Sequence, residues 1–208
     1  MSAHSRGDLF IVSSPSGGGK STLIRRLLEH PPGEALHFSV SHTTRAKRAG
    51  EENGREYHFV TVDEFQRMVK RDEFLEHNEV HDNIYGTSKA EVLPRLAAGE
   101  DVILDIDVQG ARDVRRVYPD AVTIFIVPAS SAELERRLRT RGLDSEEAIR
   151  KRLINAAREI QQAEDFQYVI VNDDLSRATL ELESIVRARR LTPARQGARL
   201  QRIRAEFR

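Results

Sequence analysis

The chain has 208 residues, with 33 Lys+Arg balanced by 33 Asp+Glu and no cysteine. That length suits one domain with a real core, the even charge argues against a nucleic-acid coat or a membrane-surface protein, and without thiols neither a disulfide framework nor a thiolate metal site can form. Met1 to Asp8 lacks an apolar signal-peptide core and no apolar run approaches a membrane span, so a cytoplasmic protein with no membrane or nucleic-acid partner is expected.

Leu9 to Ser13 reads as a buried strand, and Ser21 to Glu29 as a helix with Leu23, Leu27 and Leu28 on one side. Ser14-Pro15-Ser16-Gly17-Gly18-Gly19-Lys20-Ser21-Thr22 joins them, and such a loop ends at a helix N-terminus, where free backbone N–H groups and the helix dipole favour an anion. In the pattern G-x-x-x-x-G-K-[ST], Lys20 sits on the β/γ-phosphates and Ser21 offers its hydroxyl to Mg²⁺. The first glycine of that pattern is here Ser14.

From Phe38 to Tyr85 the chain is polar and rich in turns, and it breaks the strand–helix alternation as an inserted lobe would. Arg45 and Arg48 are spaced to converge on one anion, with Ser41 and other hydroxyls before them and Gly50 and Glu51 behind. Capping boxes at Thr61/Glu64, Ser88/Glu91 and Ser130/Glu133 mark helix starts. Val102 to Ile106 reads as a strand, and alternation would turn Asp105 and Asp107 to one side of it. These two acids either serve a metal and a second ligand or cap the helix over Gln109 to Val117. Further strands are predicted at Val122 to Val127 and Tyr168 to Val171, so the whole is an α/β domain, a parallel sheet covered by helices on both faces. Arg136 to Arg158 is a second insertion or a solvated helical hairpin. Arg187 to Arg208, eight arginines against Glu206, reads as a solvated terminal helix.

The motif S-x-S-x-T-T-R-x-x-R-x-G-E, from Ser39 to Glu51, joined to the P-S-G-x-G-K-S loop, resembles guanylate kinase. The match continues through Gly54 to Phe59, Phe74 to Glu76, Asn83 to Gly86, Leu104 to Gly110, Arg137 to Gly142 and Val171 to Asp174, nearly the whole chain. The resemblance implies the P-loop nucleoside monophosphate kinase fold. It further implies a core (8–37, 87–135 and 159–190), a GMP-binding lobe (38–86), a helical lid (136–158) and a basic tail (191–208). The implied reaction is Mg²⁺-dependent transfer of the ATP γ-phosphoryl group to GMP, with dGMP also accepted and a homo-oligomer allowed. By the same resemblance, GMP contacts Ser41, Arg45, Arg48, Tyr57, Glu76, Tyr85, Thr87 and Asp107. ATP lies on Ser16, Gly17, Gly18, Gly19, Lys20, Ser21 and Thr22, with Asn172 and Asp173 at its adenine end. Lys20, Arg45, Arg137, Arg141 and Arg152 serve the transferring phosphoryl group, and Ser21 and Asp105 the Mg²⁺.

The chemistry of these residue types agrees. Guanine presents N1–H and an exocyclic amine as donors, which suit the carboxylates Glu76 and Asp107, whereas adenine would leave a buried carboxylate unpaired. The acceptor is an already ionised phosphate, so no catalytic base is required and the work is positioning and charge. Two alternatives remain at this point: a catalytically silent module of the same fold, and a nucleotide-hydrolysing switch. The first is disfavoured by the intact Lys20 and Ser21, and the second has no use for the Ser41 to Arg48 cluster.

Overall fold

The computed structural model of the chain describes residues 6–29, 36–80, 82–140 and 145–207. In chain order the elements are β1 (Leu9–Ser13), α1 (Lys20–Glu29), β2 (Leu36–Phe38), β3 (His42–Thr43), β4 (His58–Phe59), α2 (Val62–Lys70), β5 (Phe74–Val80) and β6 (Asn83–Ser88). They continue with α3 (Lys89–Ala97), β7 (Asp101–Asp105), α4 (Val108–Val117), β8 (Val122–Pro128), α5 (Ser131–Thr140), α6 (Glu146–Ile160), β9 (Tyr168–Asn172), α7 (Leu175–Arg190) and α8 (Gly197–Glu206).

Five strands form one parallel sheet in the order β2-β7-β1-β8-β9. Because successive side chains point to opposite faces, β1 serves two cores at once. Phe10 and Val12 pack with Leu23, Ile24 and Leu27 of α1 and with Leu182 and Val186 of α7. Leu9 and Ile11 pack on the other face with Val92 and Leu96 of α3 and Val114 of α4. A strand buried on both faces reads as an unbroken apolar run, which is why Leu9 to Val12 is legible in the sequence.

A second sheet, in the order β4-β3-β6-β5, is built from the stretch that breaks the alternation. Its strands β3 and β4 have two residues each, too short to show any period. Phe65 of α2 stacks on Phe74 of β5 with centroids 4.5 Å apart and gives this sheet a small core of its own with Met68. The N-caps form as predicted, the hydroxyls of Thr61, Ser88 and Ser130 accepting the backbone N–H groups of Glu64, Glu91 and Glu133, while the glutamate carboxylates bond Arg67, His37 and the pair Arg136 and Arg137 in place of closing the boxes.

The strand expected at Val102 to Ile106 ends one residue early, at Asp105, and Asp107 leaves the strand to cap α4, its Oδ1 accepting the Gly110 N–H at 2.7 Å. Strand alternation therefore does not relate the two acids. Arg136 to Arg158 falls in the pair α5 and α6, which share Leu134, Leu138, Ile149 and Ala156 as a separate apolar cluster. The basic C-terminal stretch is only partly a solvated helix. No residue of α8 is buried, but Arg190 and Arg195 pair with the carboxylate of Asp101, which is 1% exposed, and Arg189 and Arg195 pair with Asp8. Those arginines fasten the end of α7 to the N-terminal ends of β1 and β7. No helix of the described residues is long and apolar enough to cross a membrane.

Candidate active site

The loop from Ser14 to Gly19 leaves the C-terminal end of β1 and closes at Lys20, the first residue of α1. This is the edge of a parallel sheet where ligands bind, and the loop's amides converge on a helix N-terminus. Gly19 has φ +97°, and a Cβ there would lie 2.1 Å from the side-chain nitrogen of Asn172, so only glycine fits. Ser14 keeps a negative φ, since the only non-glycine residues with positive φ among those described are Asp72 and Asp82. Its hydroxyl donates to the Pro15 carbonyl at 3.1 Å. Ser14→Gly is accordingly expected to leave kcat/KM nearly unchanged in steady-state assays, and a rise of about tenfold or more would show that the serine strains the loop.

Lys20 Nζ lies 2.5 Å from Asp105 Oδ1 and donates to the Ile106 carbonyl at 2.9 Å, while Ser21 Oγ donates to Asp105 Oδ2 at 3.0 Å. One carboxylate at the end of β7 thus bridges the lysine and the hydroxyl that open α1.

Two cavities flank the loop and share Gly17, Gly19 and Thr22. The first, of about 340 Å³, runs toward the second sheet and takes in Ser16, Lys20, Ser21, Asp105 and Asp107. From that sheet it receives Ser41, Tyr57, Tyr85, Glu76 and Asn78. The second, of about 400 Å³, opens between α5 and the end of β9 and takes in Arg137, Asn172 and Asp173.

Glu76 is the dominant group of the first cavity. It is 7% exposed, and the Thr87 hydroxyl donates to its Oε1 at 2.7 Å. Burial, with repulsion from Asp107 adding to it, raises its carboxyl to about 7 against the pull of Thr87 and Asn78. A Cβ on Gly110 would stand 2.8 Å from Glu76 Oε2, so the first turn of α4 must carry glycine for the carboxylate to reach this place. Thr87 is fully buried behind Glu76 and is not in the cavity wall, so its hydroxyl acts on the carboxylate. Tyr57 and Tyr85 meet with centroids 5.7 Å apart, and burial, aided by Asp105 and Tyr85, pushes the Tyr57 phenol up to about 12. Tyr57 is therefore a donor throughout the neutral range.

The expected arginines are not gathered in the first cavity. Arg45 lies over the rings of Tyr57 and Phe59 and donates to Glu51 at 2.7 Å, and the other oxygen of Glu51 accepts the Arg48 N–H at 2.8 Å. The hydrogen bond to Glu51 raises the Arg45 guanidinium and, with its partner's charge, lowers the Glu51 carboxyl. Arg137 sits at the second cavity, its Nε on Glu133 at 2.7 Å, its Nη1 on the Gly18 carbonyl at 3.3 Å and its Nη2 on the Asn172 carbonyl at 3.0 Å. Arg48 and Arg152, a residue of α6, line neither cavity. Arg141 lies outside the described residues.

Sequence reasoning gave no role to four residues that shape the site: Glu51 and Gly110, which it met only as members of motifs, and Asn78 and Glu159. Asn78 shares a strand face with Glu76, so alternation along β5 could have found it. Glu159, in the last turn of α6, lines the first cavity, and burial with repulsion from Asp107 raises its carboxyl while Lys20 and the Ser16 N–H pull the other way. No motif marks it.

Known proteins place the chain. The guanylate kinase family model matches residues 6–189. The guanylate kinase of Pseudoalteromonas translucida (strain TAC 125) is 51% identical over 201 residues, 97% of either chain. That of Escherichia coli K12 is 52% identical over 194 residues, 93% of this chain and 94% of its own. The crystal structure of guanylate kinase from Anaplasma phagocytophilum superposes with a TM-score of 0.75 at 35% identity, covering 94% of this chain and 92% of that one. With a glycine-rich loop between two cavities, one of them floored by a buried carboxylate, and with likeness over almost its full length, the chain belongs to the guanylate kinase family.

Proposed function

We infer that the chain transfers the γ-phosphoryl group of ATP to GMP, giving ADP and GDP. The observation that carries this reading is the pairing of one phosphate loop with two cavities of different character. GMP occupies the first, its base toward Glu76 and Asp107 and its phosphate toward Tyr57, Tyr85 and Arg45. ATP lies with its phosphates over Ser16 to Thr22 and its adenine in the second cavity, beside Asp173. The two phosphate chains then meet at Lys20, the cation common to both.

No residue has to remove a proton from the acceptor phosphate. The chain's own task is to hold two polyanions in line, to match developing charge with Lys20 and the lid arginines, and to exclude water as α5 and α6 close. Ser21 and Asp105 fit a hard cation, because both offer oxygen ligands and their oxygens stand 3.0 Å apart beside the loop. They would hold Mg²⁺ together with nucleotide oxygens and water, and the ion would offset charge on the β- and γ-phosphates. No contact proposed here needs the ribose 2′-hydroxyl, so dGMP is expected to serve as acceptor.

The test is a coupled assay with ATP, Mg²⁺ and GMP, read as GDP formed. GDP appearing only when both nucleotides are present supports the transfer. Phosphate release from ATP alone would instead make the chain a hydrolase, and binding of either nucleotide without turnover would make it a silent module.

A further inference from the structure

Asn172 ends β9 with its side chain 4% exposed, and it points at the phosphate loop. Its Nδ2 donates to the Gly18 carbonyl at 2.9 Å. The Gly18–Gly19 peptide is trans, as all described peptides are, so its C=O and N–H point in opposite directions. A carbonyl held toward β9 therefore aims the Gly19 N–H away from β9. Gly19, but not Gly18, lines the first cavity, and its N–H donates to no group among the described residues. That amide is one of the donors on which the phosphate chain rests.

The geometry points to Asn172 as a positioning residue for ATP that acts through the Gly18–Gly19 peptide. Arg137 shares the Gly18 carbonyl at the longer distance of 3.3 Å and also holds the Asn172 carbonyl. When Arg137 turns to the transferring phosphoryl group, Asn172 becomes the remaining side-chain donor on Gly18. The clamp thus matters most when the nucleotide is loaded. The contact is close enough to demand glycine at position 19, where a Cβ would meet Asn172 Nδ2. A carboxylate in place of the amide could not donate, which accounts for an amide here and not an aspartate.

This role rests on ATP as the phosphoryl donor, and it differs from a contact to adenine in one measurable respect. A residue that aims a loop amide affects every ligand with a phosphate chain, whether or not it carries a base. The experiment compares wild type with Asn172→Ala and with Asn172→Leu, which keeps the shape without a donor. For each, KM for ATP and GMP, kcat, melting temperature, and the Kd of inorganic tripolyphosphate with Mg²⁺ are measured. Losing one buried hydrogen bond should raise KM for ATP and Kd for tripolyphosphate alike, by about tenfold, and leave KM for GMP unchanged. A loss for ATP with tripolyphosphate unaffected would move Asn172 to the adenine site. A fall in kcat and melting temperature with both constants unchanged would leave it a purely structural residue, and either result overturns the proposal. The reading of the reaction stands or falls separately, on whether wild type makes GDP, because tripolyphosphate binding is scored without turnover.

Discussion

Lys20→Ala is expected to fold and to lose about 10²–10³ in kcat, or about 3–4 kcal/mol of transition-state stabilisation, the range found when a single preorganised charge or donor is removed from a closed site. Lys20 lines the first cavity, next to the loop residues that the two cavities share, and in the proposed reaction its charge serves the phosphoryl group in transit more than either bound nucleotide. The loss should accordingly appear in kcat more than in the KM for GMP. Stability should fall as well, because Asp105 keeps only the Ser21 hydroxyl as a side-chain partner when Nζ at 2.5 Å is gone. The pair is partly exposed, so this second effect is small beside the first. Circular dichroism and melting curves establish the fold, and single-turnover kinetics with ATP and GMP measure the chemistry. Near-normal turnover from a folded variant would contradict the assignment of the loop.

Three of the cations assigned to phosphate are held by carboxylates. Lys20 is held by Asp105, Arg45 by Glu51 and Arg137 by Glu133, each at 2.5–2.7 Å. Such pairs at partly exposed positions are worth about 1 kcal/mol or less, so an arriving phosphate exchanges for them at small cost.

Where the sequence carries a local rule, it was legible. Leu9 to Ser13 is a doubly buried run, Thr61, Ser88 and Ser130 stand three residues before a glutamate, and the glycines before Lys20 have only one common use. The second sheet was not legible beyond its disruption of the alternation, because β3 and β4 have two residues each and exist only through their partners. The same holds within the site. Glu76 and Lys20 announce themselves through motifs, but the roles of Thr87, Gly110 and Asn172 depend on contacts across 11, 34 and 154 residues of chain, to Glu76 and Gly18. At Asp107 the two readings of the sequence part: alternation does not reach two residues past the strand's end, and the helix cap, the other reading, is the one that forms.

Glu76→Gln is expected to give a more stable enzyme that is worse at using GMP. In the folded protein the Glu76 carboxyl stands at about 7 instead of 4.5, mainly through burial. A carboxyl raised in the folded state binds its proton more firmly there than in the unfolded chain. Stability therefore falls as pH rises from about 4.5 through about 7, and is level above it. The difference corresponds to about 3 kcal/mol, which the uncharged amide does not lose, while it still offers Thr87 an acceptor. The variant should melt higher than wild type at pH 8 and close to it at pH 5. GMP, by contrast, needs the charge: its N1–H and amine face one carbonyl and one NH₂ in the variant, at a cost of about 1–3 kcal/mol in kcat/KM, with ATP hardly affected. Because GMP takes up the ionised form, wild type must release the Glu76 proton to bind it below about pH 7, and its advantage over the variant should shrink by up to about tenfold per pH unit there. The phosphate of GMP titrates near pH 6 in both assays and cancels from the ratio of the two enzymes. That ratio, measured from pH 6 to 8.5 with AMP as competing acceptor, is the decisive quantity. A ratio flat across the range, together with unchanged melting at pH 8, would remove Glu76 from the guanine site and leave Asp107 as the carboxylate that reads the base.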